Sequence, residues 1–195
     1  LAWLAACRAT WHAWVTDRWL PAIHAQQAAR GEVATDYSDL IHHKGAQTTL
    51  ICCQVTAEAD GGARVDFVAV GDAVALHARQ AGEGWELLAA FPIADPTAFG
   101  VQPGTLPTSA DPAWQARAWA DLRHMTLIAQ SDDAVLLATD TLAEWILRDP
   151  GARIARLLAL PDAAAYEALI AQERQSGHMN DDDMTLLIVP FERKK

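Results

Sequence analysis

Asp181-Asp182-Asp183-Met184-Thr185-Leu186-Leu187-Ile188-Val189 sets three adjacent carboxylates directly before an apolar, β-branched run. Such a run reads as a buried strand. Adjacent acids at its mouth repel one another unless something cationic sits among them. A second stretch, Ala134-Val135-Leu136-Leu137-Ala138-Thr139-Asp140, has the same grammar in reverse: an apolar strand with a carboxylate at its far end. If the two strands are antiparallel neighbours, Asp140 and Asp182 lie at the same rim of one sheet. Clustered carboxylate oxygens at a sheet edge suit a hard divalent cation such as Mg²⁺ or Mn²⁺. Each stretch alone also reads as a capped strand end, because aspartate is common in turns.

A chain of 195 residues is long enough for one domain with a substantial core. Half of its residues are hydrophobic, yet no window resembles a membrane span. The net charge of −10 argues against a nucleic-acid-binding surface and is compatible with a site that holds cations. Cys7, Cys52 and Cys53 have no zinc or Cys-x-x-Cys spacing, which favours a reducing, cytoplasmic setting. Cys52 and Cys53 are neighbours within an apolar run, so at least one is expected to face a core. The chain opens at Leu1, inside a helical pattern and without a capping residue or a signal peptide. This start reads as a cut end, with structure expected upstream.

From that start, residues 1–29 carry Trp3, Cys7, Trp11 and Trp14 at helical spacing, an apolar stripe expected to pack on a sheet. Pro21 is expected to kink or break the helix. His12, His24 and the pair His42-His43 have no partners at metal spacing and read as surface or loop residues. After a polar loop over 30–46, the pattern predicts strands over 48–56, 64–70, 73–79 and 85–90. The connections are Asp60-Gly61-Gly62, Gly71-Asp72 and a turn at Gly82 and Gly84, which together suggest a meander of short antiparallel strands. Residues 91–122 hold five prolines and are expected to contain no strand, reading as a surface excursion or a substrate-facing flap with a short helix from Trp114 onward. The sheet resumes over 125–130, turns at Ser131-Asp132-Asp133 and returns through 134–139. Asp132 and Asp133 read as turn formers. Helices are expected over 142–147, 152–160 and 162–175, the last capped by Asp162.

That order, with four local motifs, resembles the metal-dependent protein phosphatases, the type-2C serine/threonine family. Thr48-Thr49-Leu50 is similar to the family's threonine-leucine strand opening. Val70-Gly71-Asp72-Ala73 is similar to its valine-glycine-aspartate-serine turn. Leu136-Leu137-Ala138-Thr139-Asp140-Thr141 resembles its strand ending in Asp-Gly, and Asp182-Asp183-Met184-Thr185 its terminal Asp-Asn-x-Thr or Asp-Asp-x-Thr motif. The resemblance runs along almost the whole chain.

What the resemblance implies is an α+β fold: a four-layer α-β-β-α sandwich of two antiparallel sheets flanked by helices, with residues 1–195 a single phosphatase-like domain lacking its N-terminal strands. It also implies two Mg²⁺ or Mn²⁺ ions bridged by a water of lowered pKa that attacks the phosphorus of a phosphorylated protein substrate. By position, Asp140 and Asp182 match metal-binding aspartates, and Asp183 supports their shell. Asp72 matches a turn residue that is structural rather than catalytic. Bacterial signalling in the cytoplasm, including stress-response or sporulation-type regulator phosphatases, is the expected setting, with neither nucleic acid nor membrane as partner. Thr141 replaces a glycine and Ala73 a serine, and the family's first acidic motifs, together with its phosphate-binding basic residue, would fall upstream of Leu1. These departures support an alternative: a catalytically inactive, phosphatase-like binding or regulatory module.

Overall fold

The expected strands form, but they divide between two sheets. The computed structural model describes residues 2–37, 46–59, 61–100, 103–108 and 112–191. In chain order its helices are α1 (Ala2–Trp14), α2 (Leu20–Ala29), α3 (Pro112–Ala120), α4 (Asp140–Arg148), α5 (Pro150–Leu158) and α6 (Ala163–Gln175). The strands are β1 (Gln47–Thr48), β2 (Leu50–Ala57), β3 (Ala63–Val70), β4 (Val74–Ala81), β5 (Gly84–Phe91), β6 (Leu106–Pro107), β7 (Arg123–Ala129), β8 (Asp133–Ala138) and β9 (Leu186–Phe191). The chain forms two compact units, Leu1–Thr48 with Thr105–Asp121, and Thr49–Gly104 with Leu122–Lys195.

The larger unit is a sandwich of two antiparallel sheets, ordered β2-β3-β7 and β5-β4-β8-β9. Val65, Phe67 and Ala69 of β3 and Ala129 of β7 pack against Ala75 of β4, Phe91 of β5, and Val135 and Leu137 of β8. Phe67 and Phe91 meet across this seam with ring centroids 6.2 Å apart, a pairing worth about 1 kcal/mol beyond burial. The opposite face of the four-stranded sheet, with Val74, Leu76, Leu136 and Ala138, is covered by Leu142, Trp145 and Ile146 of α4, Ile154 of α5 and Ile170 of α6. Strand β8 therefore has a core on each side. Its unbroken apolar run follows from that position, whereas alternation would mark a half-solvated strand.

At the sheet's edge, β9 pairs only with β8 among the described residues. The Thr139 N–H bonds the Thr185 carbonyl, which fixes the alternation along β9. Leu186, Ile188 and Pro190 turn their backbone groups away from β8, so the missing N–H of Pro190 costs no ladder bond. Cys53 packs against the inter-sheet core, as expected of one of the cysteine pair. The helices α4, α5 and α6 match the sequence pattern, and the Asp162 side chain accepts the Ala165 N–H at 2.9 Å as the α6 cap.

Several expectations are corrected. The strands over 63–81 and 123–138 are not consecutive hairpins. β3 pairs with β2 and β7 while β4 pairs with β5 and β8, so the chain crosses between sheets at Gly71-Asp72 and again at 130–132. A glycine turn signals a reversal but not which strand receives the chain. The proline-rich insert contains a short strand after all: β6 pairs with β1, because a two-residue ladder at an edge tolerates Pro107. The first α-helix is interrupted beside Pro21, in keeping with the kink or break expected there. A π-helical turn over Val15–Trp19 precedes the proline, and Pro21 falls in the first turn of α2, where its missing N–H is tolerated. Trp14 is 52% exposed, so the tryptophan stripe is not buried there. The side chains of Trp3 and Cys7, the pair His42-His43, and Asp60 lie outside the described residues.

Candidate functional site

Strand register brings three acidic segments to one rim. Val74 at the start of β4 pairs with Ala138 at the end of β8, and Ala138 pairs with Leu186 at the start of β9. Asp72 precedes Val74 by two residues, Asp140 follows Ala138 by two, and Asp181, Asp182 and Asp183 lie just before β9. Antiparallel pairing places all of these at the same end of the sheet.

Asp72 occupies the crossing between sheets, and Gly71 makes that crossing possible. Gly71 has φ of +96°, and a Cβ there would lie 2.5 Å from Thr49 Cγ2 and 2.7 Å from the Gly104 carbonyl oxygen. Only glycine fits both the backbone angle and the space. The turn delivers Asp72 into a buried position, 5% exposed. Burial pushes its carboxyl pKa up, and the neighbouring Asp140 and Asp182 carboxylates push it further in the same direction, against a lowering hydrogen bond from its own backbone. A buried carboxylate within electrostatic reach of two others is short of positive charge. Asp72 thus lies within electrostatic reach of Asp140 and Asp182.

Asp140 begins α4, where the helix N-terminus favours a negative group, and its Oδ1 accepts the Thr141 N–H at 2.7 Å. Its other oxygen has no hydrogen bond among the described residues. Thr141 is 7% exposed, so the side chain that stands in place of glycine points into packed surroundings. Asp182 is exposed, and its Oδ1 accepts the Asp183 N–H at 2.8 Å. Asp183 is also exposed, and its recorded bonds are through its backbone. The structure therefore brings Asp140 and Asp182 into electrostatic reach of Asp72, with Asp183 beside them in sequence.

The donor type suits a hard cation, since three chain segments bring carboxylates to one rim and the buried Asp72 lies within electrostatic reach of Asp140 and Asp182. The spacing is open: among the described residues, no three His, Cys, Asp or Glu side chains are gathered closely enough to hold a metal ion by themselves. Water would have to complete any coordination sphere.

At the opposite end of β4 and β8 lies a second polar cluster that the sequence reading missed. Asp133, read as a turn former, is buried and begins β8. Its carboxylate accepts from Arg79 Nε at 2.6 Å, Arg79 Nη2 at 3.0 Å and the Gln130 N–H at 2.8 Å, and lies 2.9 Å from His77 Nε2. Every oxygen of Asp133 is occupied, so this cluster is structural. Asp132 is the turn residue, at φ 71°.

No family model and no curated protein matches the sequence. Among solved structures, the chain is similar to the serine/threonine phosphatase PstP/Ppp of Mycobacterium tuberculosis, at 17% identity and a TM-score of 0.46, covering 89% of this chain and 68% of that one. It is similar to PppA, described as a key regulatory component of the T6SS in Pseudomonas aeruginosa, at 16% identity and a TM-score of 0.42, covering 97% of this chain and 70% of that one. A third likeness is to the phosphatase domain of the cell fate determinant SpoIIE from Bacillus subtilis, at 15% identity and a TM-score of 0.40, covering 90% of this chain and 65% of that one. At these scores, the functional reading rests on the residues of the rim.

Proposed function

We propose that this chain is a phosphatase-like domain of the type-2C family, hydrolysing phosphoserine and phosphothreonine esters of a protein substrate with Mg²⁺ or Mn²⁺. The observation that carries the reading is the β4-β8-β9 register, which collects Asp72, Asp140 and Asp182 at one rim. Three of the four motifs quoted from the sequence fall on elements that suit them: the Gly-Asp turn on the sheet crossing, the Asp-ended strand on β8, and the acid-led strand on β9.

Asp140 and Asp182 would hold the cation, with Asp183 as a supporting neighbour and Asp72 as a buried counter-charge behind them. A hard divalent cation supplies Lewis acidity toward phosphoryl oxygens and an acidified water as nucleophile. The chain's own contribution is to hold several negative charges in one place at the end of a rigid sheet. The exposure of Asp182 keeps that end open to a phosphorylated side chain. No helix among the described residues is long and apolar enough to cross a membrane.

The second reading, an inactive binding module of the same fold, is favoured by the buried Thr141 and the open donor spacing. Hydrolysis of an aryl phosphate and of a phosphothreonine peptide, with Mn²⁺ and with a chelator, separates the two. The enzyme reading expects Mn²⁺-dependent turnover that Asp140→Asn and Asp182→Asn each reduce at least ~100-fold. Wild-type protein that binds Mn²⁺ and the phosphopeptide without turnover would establish the binding module instead.

A further inference from the structure

The acidic segment before β9 has no regular secondary structure of its own over residues 181–185. Its conformation is nevertheless held by side chains from two other elements. Arg174, in the last turn of α6, donates through Nη2 to the Asp182 carbonyl oxygen, and its Nη1 lies 3.4 Å from Asp181 Oδ1. Thr139, just past β8 at the N-cap of α4, donates through Oγ1 to the Asp183 carbonyl at 3.2 Å and accepts the Thr185 N–H on the same oxygen at 3.1 Å. The segment is thus gripped at successive residues from both sides.

The end of α6 is itself fixed. Glu173, buried beside Arg174, accepts from Trp145 Nε1 of α4 at 3.1 Å and from Arg156 of α5, and lies 3.0 Å from His178 Nδ1. Arg174 therefore projects from a point tied to both other helices. Among the described residues, its Nε has no hydrogen-bond partner, and neither does the nearby Tyr166 hydroxyl. The side chain as a whole is 34% exposed, and its two terminal nitrogens reach outward to the acidic segment.

We propose that Arg174 is the positioning residue of the acidic rim: by holding the Asp182 main chain, it keeps that carboxylate at the end of the sheet shared with Asp72 and Asp140. Thr139 completes the grip from the β8 side. The inference rests on the reading of the rim as a cation site. It extends that reading by assigning a role to a cation outside any ligand set. The fork geometry of arginine suits a task in which one nitrogen meets a carbonyl and another a carboxylate.

Electrostatics and positioning make opposite forecasts for Arg174. If its charge alone mattered, removing it would strengthen cation binding, because a positive neighbour repels Mn²⁺. If it positions Asp182, removing it weakens binding, by about 10- to 100-fold, the usual loss when a ligand's supporting partner is removed. The experiment is calorimetric titration of Mn²⁺ into wild type, Arg174→Gln, Arg174→Lys and Asp182→Asn, with amide hydrogen exchange on the metal-free proteins. Arg174→Gln should weaken Mn²⁺ binding and speed exchange at the Asp183 and Thr185 amides. Arg174→Lys, which retains a donor, should fall between Arg174→Gln and wild type in both.

Tighter or unchanged Mn²⁺ binding by Arg174→Gln, beside a weakened Asp182→Asn, would overturn the positioning role and leave the cation site standing. Equal Mn²⁺ binding by wild type and Asp182→Asn would instead remove the cation site. Exchange at the two amides still reads the grip in that case, and unchanged exchange in Arg174→Gln would refute it. Should Arg174→Gln fail to fold, Arg174→Lys carries the same comparisons, and wild-type behaviour in both readouts would overturn the proposal.

Discussion

Replacing Asp133 with asparagine keeps the side chain's shape and removes its charge. In the wild type this fully buried carboxylate faces only donors: the Arg79 fork, the Gln130 N–H and the His77 ring. Asparagine would turn an NH₂ group toward some of them and leave the Arg79 charge unpaired. Breaking a buried ion pair on one side costs about 3–5 kcal/mol. The Arg79 side chain is 43% exposed, so water recovers part of its solvation and the lower end applies. The expected loss is therefore about 3 kcal/mol, or a Tm lower by about 6–12 °C for a chain of this length. Burial alone would raise the Asp133 carboxyl, but the Arg79 and Gln130 hydrogen bonds and His77 outweigh it and hold the group below the usual carboxylate range. A depressed folded pKa means that the stabilisation is fully present above the unfolded value of about 3.9 and is lost as pH falls through the folded value. Urea unfolding of both proteins at pH 7, 5, 4 and 3 should show a constant gap that closes in acid. A gap below about 1 kcal/mol at pH 7, or one that persists undiminished at pH 3, would refute the role assigned to this cluster.

At the other end of the sheet, Asp72→Asn should raise the thermal stability of the metal-free protein, because it relieves a buried carboxylate of two like-charged neighbours; a lower Tm without metal would contradict that electrostatic account. Gly71→Ala should cost about 2–4 kcal/mol through its left-handed backbone angle and its clash with the Gly104 carbonyl, read by denaturant unfolding; a loss under about 1 kcal/mol would mean the crossing can relax.

The local elements were legible because their causes are local. The unbroken apolar run of β8, the Asp162 cap and the amphipathic helices after Asp140 each announce themselves within a few residues. The pairing of β8 with β9, and the shared rim of Asp140 and Asp182, followed from two runs with opposite grammar. Partner choice across the sandwich was not legible, because it depends on which faces the packed sheets bury. Gly71-Asp72 looks like a tight hairpin turn and is a crossing between sheets. The position of Asp72 at the acidic rim comes from that crossing, which its turn motif does not show. Asp133 was misread for a similar reason, since its partners His77 and Arg79 lie 56 and 54 residues away in sequence. The contacts of Arg174 leave no local trace either, because they join a helix end to a loop through a carbonyl oxygen.

The most direct test of the acidic rim is a calorimetric titration of Mn²⁺ into wild type, Asp140→Asn, Asp182→Asn and Asp132→Asn. Asp132 serves as the control because it is an exposed turn residue at the far end of β8. The account predicts saturable binding by wild type and Asp132→Asn, and affinity at least ~10-fold weaker for each of the other two, since a lost carboxylate removes both a donor and a charge. Equal affinity across all four proteins, or no binding by any, would contradict it.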